Sequence, residues 1–213
     1  MNKLRSIFAT AAVVVLAACG FTTTSMEPSS RTFLTTTSNP NLYVLNTAGN
    51  SVTVYAPKTT SPLRTITRGM NKPNAMALDE PGTLYVADTN AVRVYAPRKS
   101  SILRSIAGGS ARLRCDATGN AFVAGPSAVT VYTPRLKSIL RTLTDGIDNP
   151  QAFAFDDSGN SYVANFSANS VTVYSGKTLL RTISQGINGP LALVFDPSGN
   201  LYVANEHGNT ITV

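Results

Sequence analysis

A four-part pattern repeats about every 40 residues along this chain of 213 residues, and it restricts the fold more than any other feature. Each unit contains an aromatic-Val pair followed by a Val-x-Val segment. A Leu-Arg-Thr-Ile-like segment follows in the first four units, and a short apolar segment ending in Asp precedes the pair in the last four. The pairs are Tyr43-Val44, Tyr85-Val86, Phe122-Val123, Tyr162-Val163 and Tyr202-Val203. Short segments rich in β-branched and aromatic residues, separated by turn residues, predict strands.

Four strands in each unit of about 40 residues are typical of a β-propeller blade. The sequence therefore predicts an all-β domain over residues 31–213, built from four-stranded antiparallel blades, of which five begin. A weak match at Phe33 to Thr37 would supply the first strand of the first blade. The fifth unit stops at Val213 before its fourth strand, and we expect the chain to be a fragment of a six- or seven-bladed ring. The alternative is a five-bladed ring that closes with a three-stranded last blade.

Residues 150–165 and 190–205 share the motif Pro-x-Ala-x-x-Phe-Asp-x-Ser-Gly-Asn-x-Tyr-Val-Ala-Asn. This motif resembles the NHL-type propeller repeat and, more loosely, the repeats of gluconolactonase-like and streptogramin-lyase-like propellers. The resemblance covers residues 32–213 and implies the fold. It does not imply one activity, because propellers host many unrelated functions.

The N-terminus has the features of a bacterial lipoprotein signal. Lys3 and Arg5 precede an apolar run that is too short to span a bilayer, and the run ends in Leu-Ala-Ala-Cys at Cys19. This resembles the lipobox, which implies a signal peptide over residues 1–18 and a lipid on Cys19. Residues 19–30 then form a flexible tether. We expect a lipid-anchored protein of the bacterial cell envelope; an ordinary cleaved signal with Cys19 as a bystander is the alternative.

The formal charge of +7 permits a nucleic-acid partner, but the pattern of the charges argues against one. Two of the bases lie in the signal, and the others are mixed with acids or spaced along the Leu-Arg-Thr-Ile segments. No basic stripe carries interleaved aromatic residues, as single-strand binding requires. We therefore expect no nucleic-acid partner. The chain also has one histidine and two cysteines, which excludes multi-histidine and four-cysteine metal sites.

The third unit carries two arginines where the other units have small apolar residues in the first strand. Arg112 and Arg114 replace the Ala75/Ala77, Ala152/Ala154 and Ala192/Val194 pairs. Alternation along a strand places both arginines on one face at the central channel. Two guanidinium groups there could clamp a carboxylate or a phosphate. The alternative is a degenerate blade whose arginines reach solvent or a neighbouring acid.

A second group of candidate ligand-binding residues lies at or just after the ends of the second strands, on the rim that usually binds ligands. Its members are Asn46, Asp88, Asn165, Asn205 and Glu206. Their oxygens could hold a divalent cation such as calcium, although such residues more often satisfy loop backbones. We expect no cofactor, no resident metal and no catalytic residue set.

These features favour a non-catalytic binding module that takes an envelope protein, a glycan or a small molecule. One alternative is a metal-dependent lactonase or related hydrolase of the gluconolactonase-like type. The other is a structural scaffold of the envelope.

Overall fold

The computed structural model describes residues 41–79, 81–108 and 112–213. The signal peptide, Cys19, the tether and the Phe33 to Thr37 segment lie outside the described residues. The described chain is all-β and forms five antiparallel blades of a β-propeller, which confirms the predicted fold class. Blades 2, 3 and 4 have four strands, and the described parts of blades 1 and 5 have three. No helix in these ranges is long and apolar enough to cross a membrane.

The strands follow the repeat in chain order. Blade 1 comprises β1 (Leu42–Asn46), β2 (Ser51–Tyr55) and β3 (Pro62–Ile66). Blade 2 comprises β4 (Ala75–Leu78), β5 (Leu84–Ala87), β6 (Ala91–Tyr95) and β7 (Ile102–Ala107). Blade 3 comprises β8 (Leu113–Cys115), β9 (Ala121–Ala124), β10 (Val129–Tyr132) and β11 (Ile139–Leu143), with a 3-10 turn at Pro134–Leu136. Blade 4 comprises β12 (Pro150–Phe155), β13 (Ser161–Asn165), β14 (Ser170–Ser175) and β15 (Thr178–Ile183). Blade 5 comprises β16 (Pro190–Phe195), β17 (Leu201–Asn205) and β18 (Thr210–Thr212).

Tight turns join the first two strands of blades 3, 4 and 5, as the Asp-x-x-Gly-Asn sequences predict. In blade 5 the Asp196 carboxylate accepts hydrogen bonds from the backbone N–H of Asn200 at 2.8 Å and from its side chain at 2.9 Å. These bonds hold the pKa of Asp196 below its usual value. Gly199 follows at φ +83°, a left-handed conformation that glycine adopts without steric cost.

The core lies between successive blades, because the strands of each blade carry apolar side chains on both faces. Four clusters of buried side chains join blades 1 and 2, 2 and 3, 3 and 4, and 4 and 5. In the cluster between blades 4 and 5, Tyr162 and Val171 of blade 4 meet Leu193 and Val203 of blade 5. The second strands are therefore apolar on both sides, as the sequence predicts for blades sandwiched between neighbours.

Blade 5 exposes the face that the other blades bury against the next blade. Ile211 is 68% exposed, whereas Val171 at the same repeat position in blade 4 is 0% exposed. Val213 and Val194 on the same face are also exposed. Among the described residues, no cluster joins blade 5 to blade 1. The ring is therefore open between these two blades in the described structure.

This difference gives a matched test of the blade stacking. We expect Val171→Ala to lower the free energy of unfolding by about 2 kcal/mol, because it removes two buried methyl groups and leaves a cavity. Ile211→Ala removes more apolar atoms but should change stability by less than about 0.5 kcal/mol, because its side chain is in water. Urea unfolding of both variants measures the difference. Equal losses would show that blade 5 is covered in solution.

Candidate functional site

The candidate site is a cavity of about 390 Å³ between blades 3 and 4. The inner strands of other neighbouring blades pack together, β4 against β8 and β12 against β16, whereas β8 and β12 make little direct contact. This separation is consistent with the sequence, since blade 3 carries arginines where the other inner strands carry small residues. The cavity is lined by Asn74, Arg112, Ala124, Gly125, Pro126, Asn149, Pro150 and Gln151.

Gly125 leaves space in the cavity because it has no side chain. At this repeat position, just after the second strand, the other four blades carry Asn or Asp. A Cβ atom on Gly125 would meet only the Ala128 carbonyl oxygen, at 3.6 Å. Blade 3 thus departs from the repeat twice, with an arginine just before its inner strand and no side chain at Gly125, and both residues line the cavity.

The Arg112 guanidinium is held by a neutral residue of the next blade. Its Nε–H and one Nη2–H donate to Gln151 Oε1, at 2.9 and 2.5 Å. Gln151 Nε2 in turn donates to Asn149 Oδ1 at 2.7 Å, and Asn149 Nδ2 donates to Ser167 Oγ at 3.2 Å. This chain of amides fixes the half-buried guanidinium from the blade-4 side. The Nη1 group and one Nη2 hydrogen stay available for a further acceptor.

The positive charge of Arg112 is not neutralised within the described residues. The ion pair found there joins Arg93 to Asp88 in blade 2 and does not include Arg112. None of the eight residues that line the cavity is acidic. A guanidinium pairs best with a carboxylate or phosphate, which it binds through two parallel hydrogen bonds. The cavity is therefore suited to an anionic group.

Asn74 lines the same cavity and also carries a buried polar atom that lacks a partner in the described chain. Its Oδ1 atom is buried and has no hydrogen-bond partner among the described residues. A buried polar atom without a partner costs about 1–3 kcal/mol. The atom has almost no accessible surface, so a group in the cavity does not contact it.

Arg114, the second predicted arginine, takes a different position. It is exposed in the middle of β8, between buried Leu113 and Cys115, and it does not line the cavity. Of the two arginines, only Arg112 contributes to the cavity wall.

Asn46, Asn165 and Asn205 tie strands and loops of their own blades together. Asn165 is fully buried; its Nδ2 donates to Thr172 Oγ1 at 3.0 Å, and its Oδ1 accepts from the backbone N–H of Asp148 at 3.3 Å. Asn205 repeats these bonds with Thr212 and the backbone of Asn188, at 3.0 and 3.1 Å. Asn46 Nδ2 donates to Thr53 Oγ1 at 2.9 Å. These side chains therefore satisfy hydrogen-bonding groups of strands and loop backbones.

Asp88 performs the same role in blade 2 with a charged partner. Its carboxylate is fully buried and accepts hydrogen bonds from the backbone N–H groups of Asn71, Asn90 and Ala91, at 3.1, 2.8 and 3.0 Å. Arg93 takes the place of the threonine found in blades 1, 4 and 5 and forms an ion pair with Asp88.

Glu206 differs from the other four rim residues because it is exposed in the loop after β17. Its neighbour His207 is also exposed, with its ring 4.8 Å from that of Phe166. Across residues 41–79, 81–108 and 112–213, no group of three or more His, Cys, Asp or Glu side chains is placed to hold a metal ion. The five predicted rim residues do not line the cavity.

Sequence reasoning identified Arg112 but missed Asn74, Asn149 and Gln151. A signal was present, because Asn74 and Gln151 occupy the same repeat position, one residue before the small-residue pair of the inner strand. Leu191 stands there in blade 5. Blades 2 and 4, the two neighbours of blade 3, therefore both carry a polar residue at this position, and both residues line the cavity.

Comparison with known proteins supports the fold alone. No protein-family model matches the chain, and no curated protein matches it. The crystal structure of the WD40 β-propeller domain of Doa1 is similar, with a TM-score of 0.65, 10% identity and 78% of this chain covered. The chain spans 57% of the length of that domain. A protein of unknown function from Bacteroides caccae is similar with a TM-score of 0.60 and 19% identity, covering 82% of this chain and 72% of that one.

Proposed function

We propose that this protein is a lipid-anchored β-propeller of the bacterial cell envelope that binds a small anionic ligand in the cavity between blades 3 and 4. The observation that carries the proposal is Arg112, a half-buried guanidinium in a cavity wall without an acidic residue. Gln151 orients the guanidinium without neutralising it. A pre-positioned cation in a cavity is a recognition element for a carboxylate or phosphate.

The cellular setting rests on the sequence. The lipobox-like segment ending at Cys19 supports a lipid anchor, and residues 19–30 would separate the propeller from the membrane. An extracytoplasmic module of this kind meets small molecules, glycans and envelope proteins, any of which can carry the anionic group. Binding by Arg112 requires no cofactor and no catalytic residue. The NHL-type assignment rests on the repeat motif.

Titration with a simple anion tests the proposal. The full chain, purified in detergent, is titrated with sodium acetate at constant ionic strength and followed by NMR. We expect saturable binding to the unsubstituted protein. Arg112→Gln should weaken it by about 10- to 100-fold, because a hydrogen bond to a charged group contributes about 1.5–3 kcal/mol.

Arg104→Gln is the matched control. It removes the same charge from an exposed position on the outer strand of blade 2, outside the cavity wall. Acetate should bind this variant as it binds the unsubstituted protein. Equal weakening in both variants would attribute the effect to net charge and contradict a site at Arg112.

A further inference from the structure

We infer that one rim of the propeller binds an anionic lipid surface directly, through basic turns and exposed leucines that repeat in four blades. This surface is separate from the cavity between blades 3 and 4, and it would act in addition to a lipid on Cys19. The turns supply positive charge, the leucines supply apolar surface, and the repeat places both parallel to one plane.

The turns between the third and fourth strand positions of blades 1–4, called the basic turns below, carry bases and no acid. They comprise residues 56–61, 96–101, 133–138 and 176–177. Their bases are all exposed: Lys58, Arg98, Lys99, Arg135, Lys137 and Lys177. The loops of the opposite rim are mixed instead, with exposed Arg68, Lys72, Asp145, Asp148 and Glu206. Positive charge is therefore concentrated on one rim.

The acids of the same rim lie in the turns between the first and second strand positions, closer to the propeller axis. Asp116, Asp156 and Asp196 each accept hydrogen bonds from the backbone and the side chain of the Asn that ends their own turn. The two other described acids of these turns are Asp79, which is buried, and Asp157. Two strand spacings, about 10 Å in all, separate these turns from the basic turns, and the Debye length in physiological salt is about 8 Å. The perimeter of the rim thus keeps a positive field.

Each outermost strand of blades 1–4 exposes one leucine just after its basic turn. The pairing of this strand with its neighbour shifts register at one point, and the residue left without a pairing partner there is Leu63, Leu103, Leu140 or Leu180. These bulge leucines are 49–58% exposed. A β-bulge redirects a side chain, and a side chain this exposed contributes little to the core. The repeated leucine therefore supplies an apolar contact surface beside each basic turn.

The repeat aligns these elements with a flat partner. Equivalent residues of blades arranged around one axis lie in a plane perpendicular to that axis, so a flat surface meets all four turns at once. The bulge leucines are the second or third residues of their strands, about 7–10 Å from the turns at about 3.3 Å per residue. Membrane-surface segments bury their apolar side by about 5–10 Å, and long lysine side chains can keep their ammonium groups among the phosphates. An anionic bilayer thus matches the shape, the charge and the apolar surface of this rim.

Sedimentation with lipid vesicles tests the inference. The full chain carries Cys19→Ser in every sample, so that no lipid anchors it and its N-terminal segment contributes equally to all variants. We expect tighter binding to vesicles of mixed phosphatidylcholine and phosphatidylglycerol than to vesicles of phosphatidylcholine alone. Lys137→Gln combined with Lys177→Gln should weaken binding to the mixed vesicles about 30-fold, because each base near an anionic membrane contributes about fivefold.

Matched variants control for net charge and for exposed apolar area. Arg68→Gln combined with Lys72→Gln removes the same charge from the opposite rim and should leave vesicle binding unchanged. Leu180→Ser should weaken it about fivefold, because the side chain loses its contact with the bilayer. Ile211→Ser, at an exposed position near the opposite rim, should have no effect. Circular dichroism melting curves establish that each variant is folded before its binding is interpreted.

Three results would overturn the inference. The first is equal binding to the two kinds of vesicle, or to neither, which removes the anionic lipid as the partner. The second is equal weakening in the two charge variants, which attributes binding to net charge. The third is weakening by the lysine variant but not by Leu180→Ser, which indicates a partner recognised by charge alone, such as a nucleic acid. None of these results bears on the cavity at Arg112.

Discussion

Phe122→Ala is expected to lower the free energy of unfolding by about 3–5 kcal/mol, the range for deleting a buried aromatic ring. Phe122 is 1% exposed and lies between blades 3 and 4. Its ring centroid is 4.8 Å from that of Phe155 and 5.9 Å from that of Phe153, and the Arg141 guanidinium lies 5.5 Å from it. Alanine would remove all of these contacts and leave a cavity that the rigid strands cannot close.

The repeat supplies the control for this prediction. Tyr202 occupies the same repeat position in blade 5, where it is only partly buried because its blade exposes one face. Tyr202→Ala should therefore cost about 1–2 kcal/mol, less than the loss at Phe122. Guanidinium unfolding followed by circular dichroism measures both. A loss at Tyr202 equal to that at Phe122 would contradict the open face of blade 5.

Gln151→Glu is expected to weaken acetate binding by about 100-fold, equivalent to about 2.7 kcal/mol. The substitution keeps the shape of the side chain but places a carboxylate where the Gln151 amide oxygen now accepts from Arg112, at 2.5 and 2.9 Å. An internal ion pair would form, and the positive charge that attracts the ligand would be neutralised. The free energy of unfolding should change by no more than about 1 kcal/mol, since such pairs near the surface contribute little.

Gln151→Met separates this charge effect from the loss of a hydrogen bond. Methionine has a similar length but neither accepts strongly from Arg112 nor carries charge. It should loosen the guanidinium and weaken binding by less than about tenfold. If the Met and Glu variants bind acetate equally poorly, Gln151 acts by orienting Arg112, and the charge argument is incorrect.

The sequence was sufficient to predict the fold, because its pattern recurs in every blade. Segments such as Val171-Thr172-Val173 predict strands, and the Asp196 to Asn200 segment predicts a tight turn. A single blade would not have been convincing. Agreement among several units is what makes a repeat informative.

The candidate site could be predicted only in part. Arg112 stood out because it departs from the repeat, but its partner Gln151 lies 39 residues away in sequence and on another blade. That pairing depends on how far β8 and β12 are separated, which a single-strand pattern does not contain. The rim positions of Asn165 and Asn205 predict ligand-binding residues. The threonine on the neighbouring strand, which engages each of them, explains why they bind their own blade instead.

The most direct test of the central claim is the NMR signal of the Arg112 Nε–H group, assigned by its loss in Arg112→Gln, during titration of the full chain with sodium acetate. We expect this signal to shift saturably and with the same dissociation constant as the Gln151 side-chain amide. An Arg112 signal that stays in place, while signals elsewhere shift or none does, would contradict an anion site between blades 3 and 4.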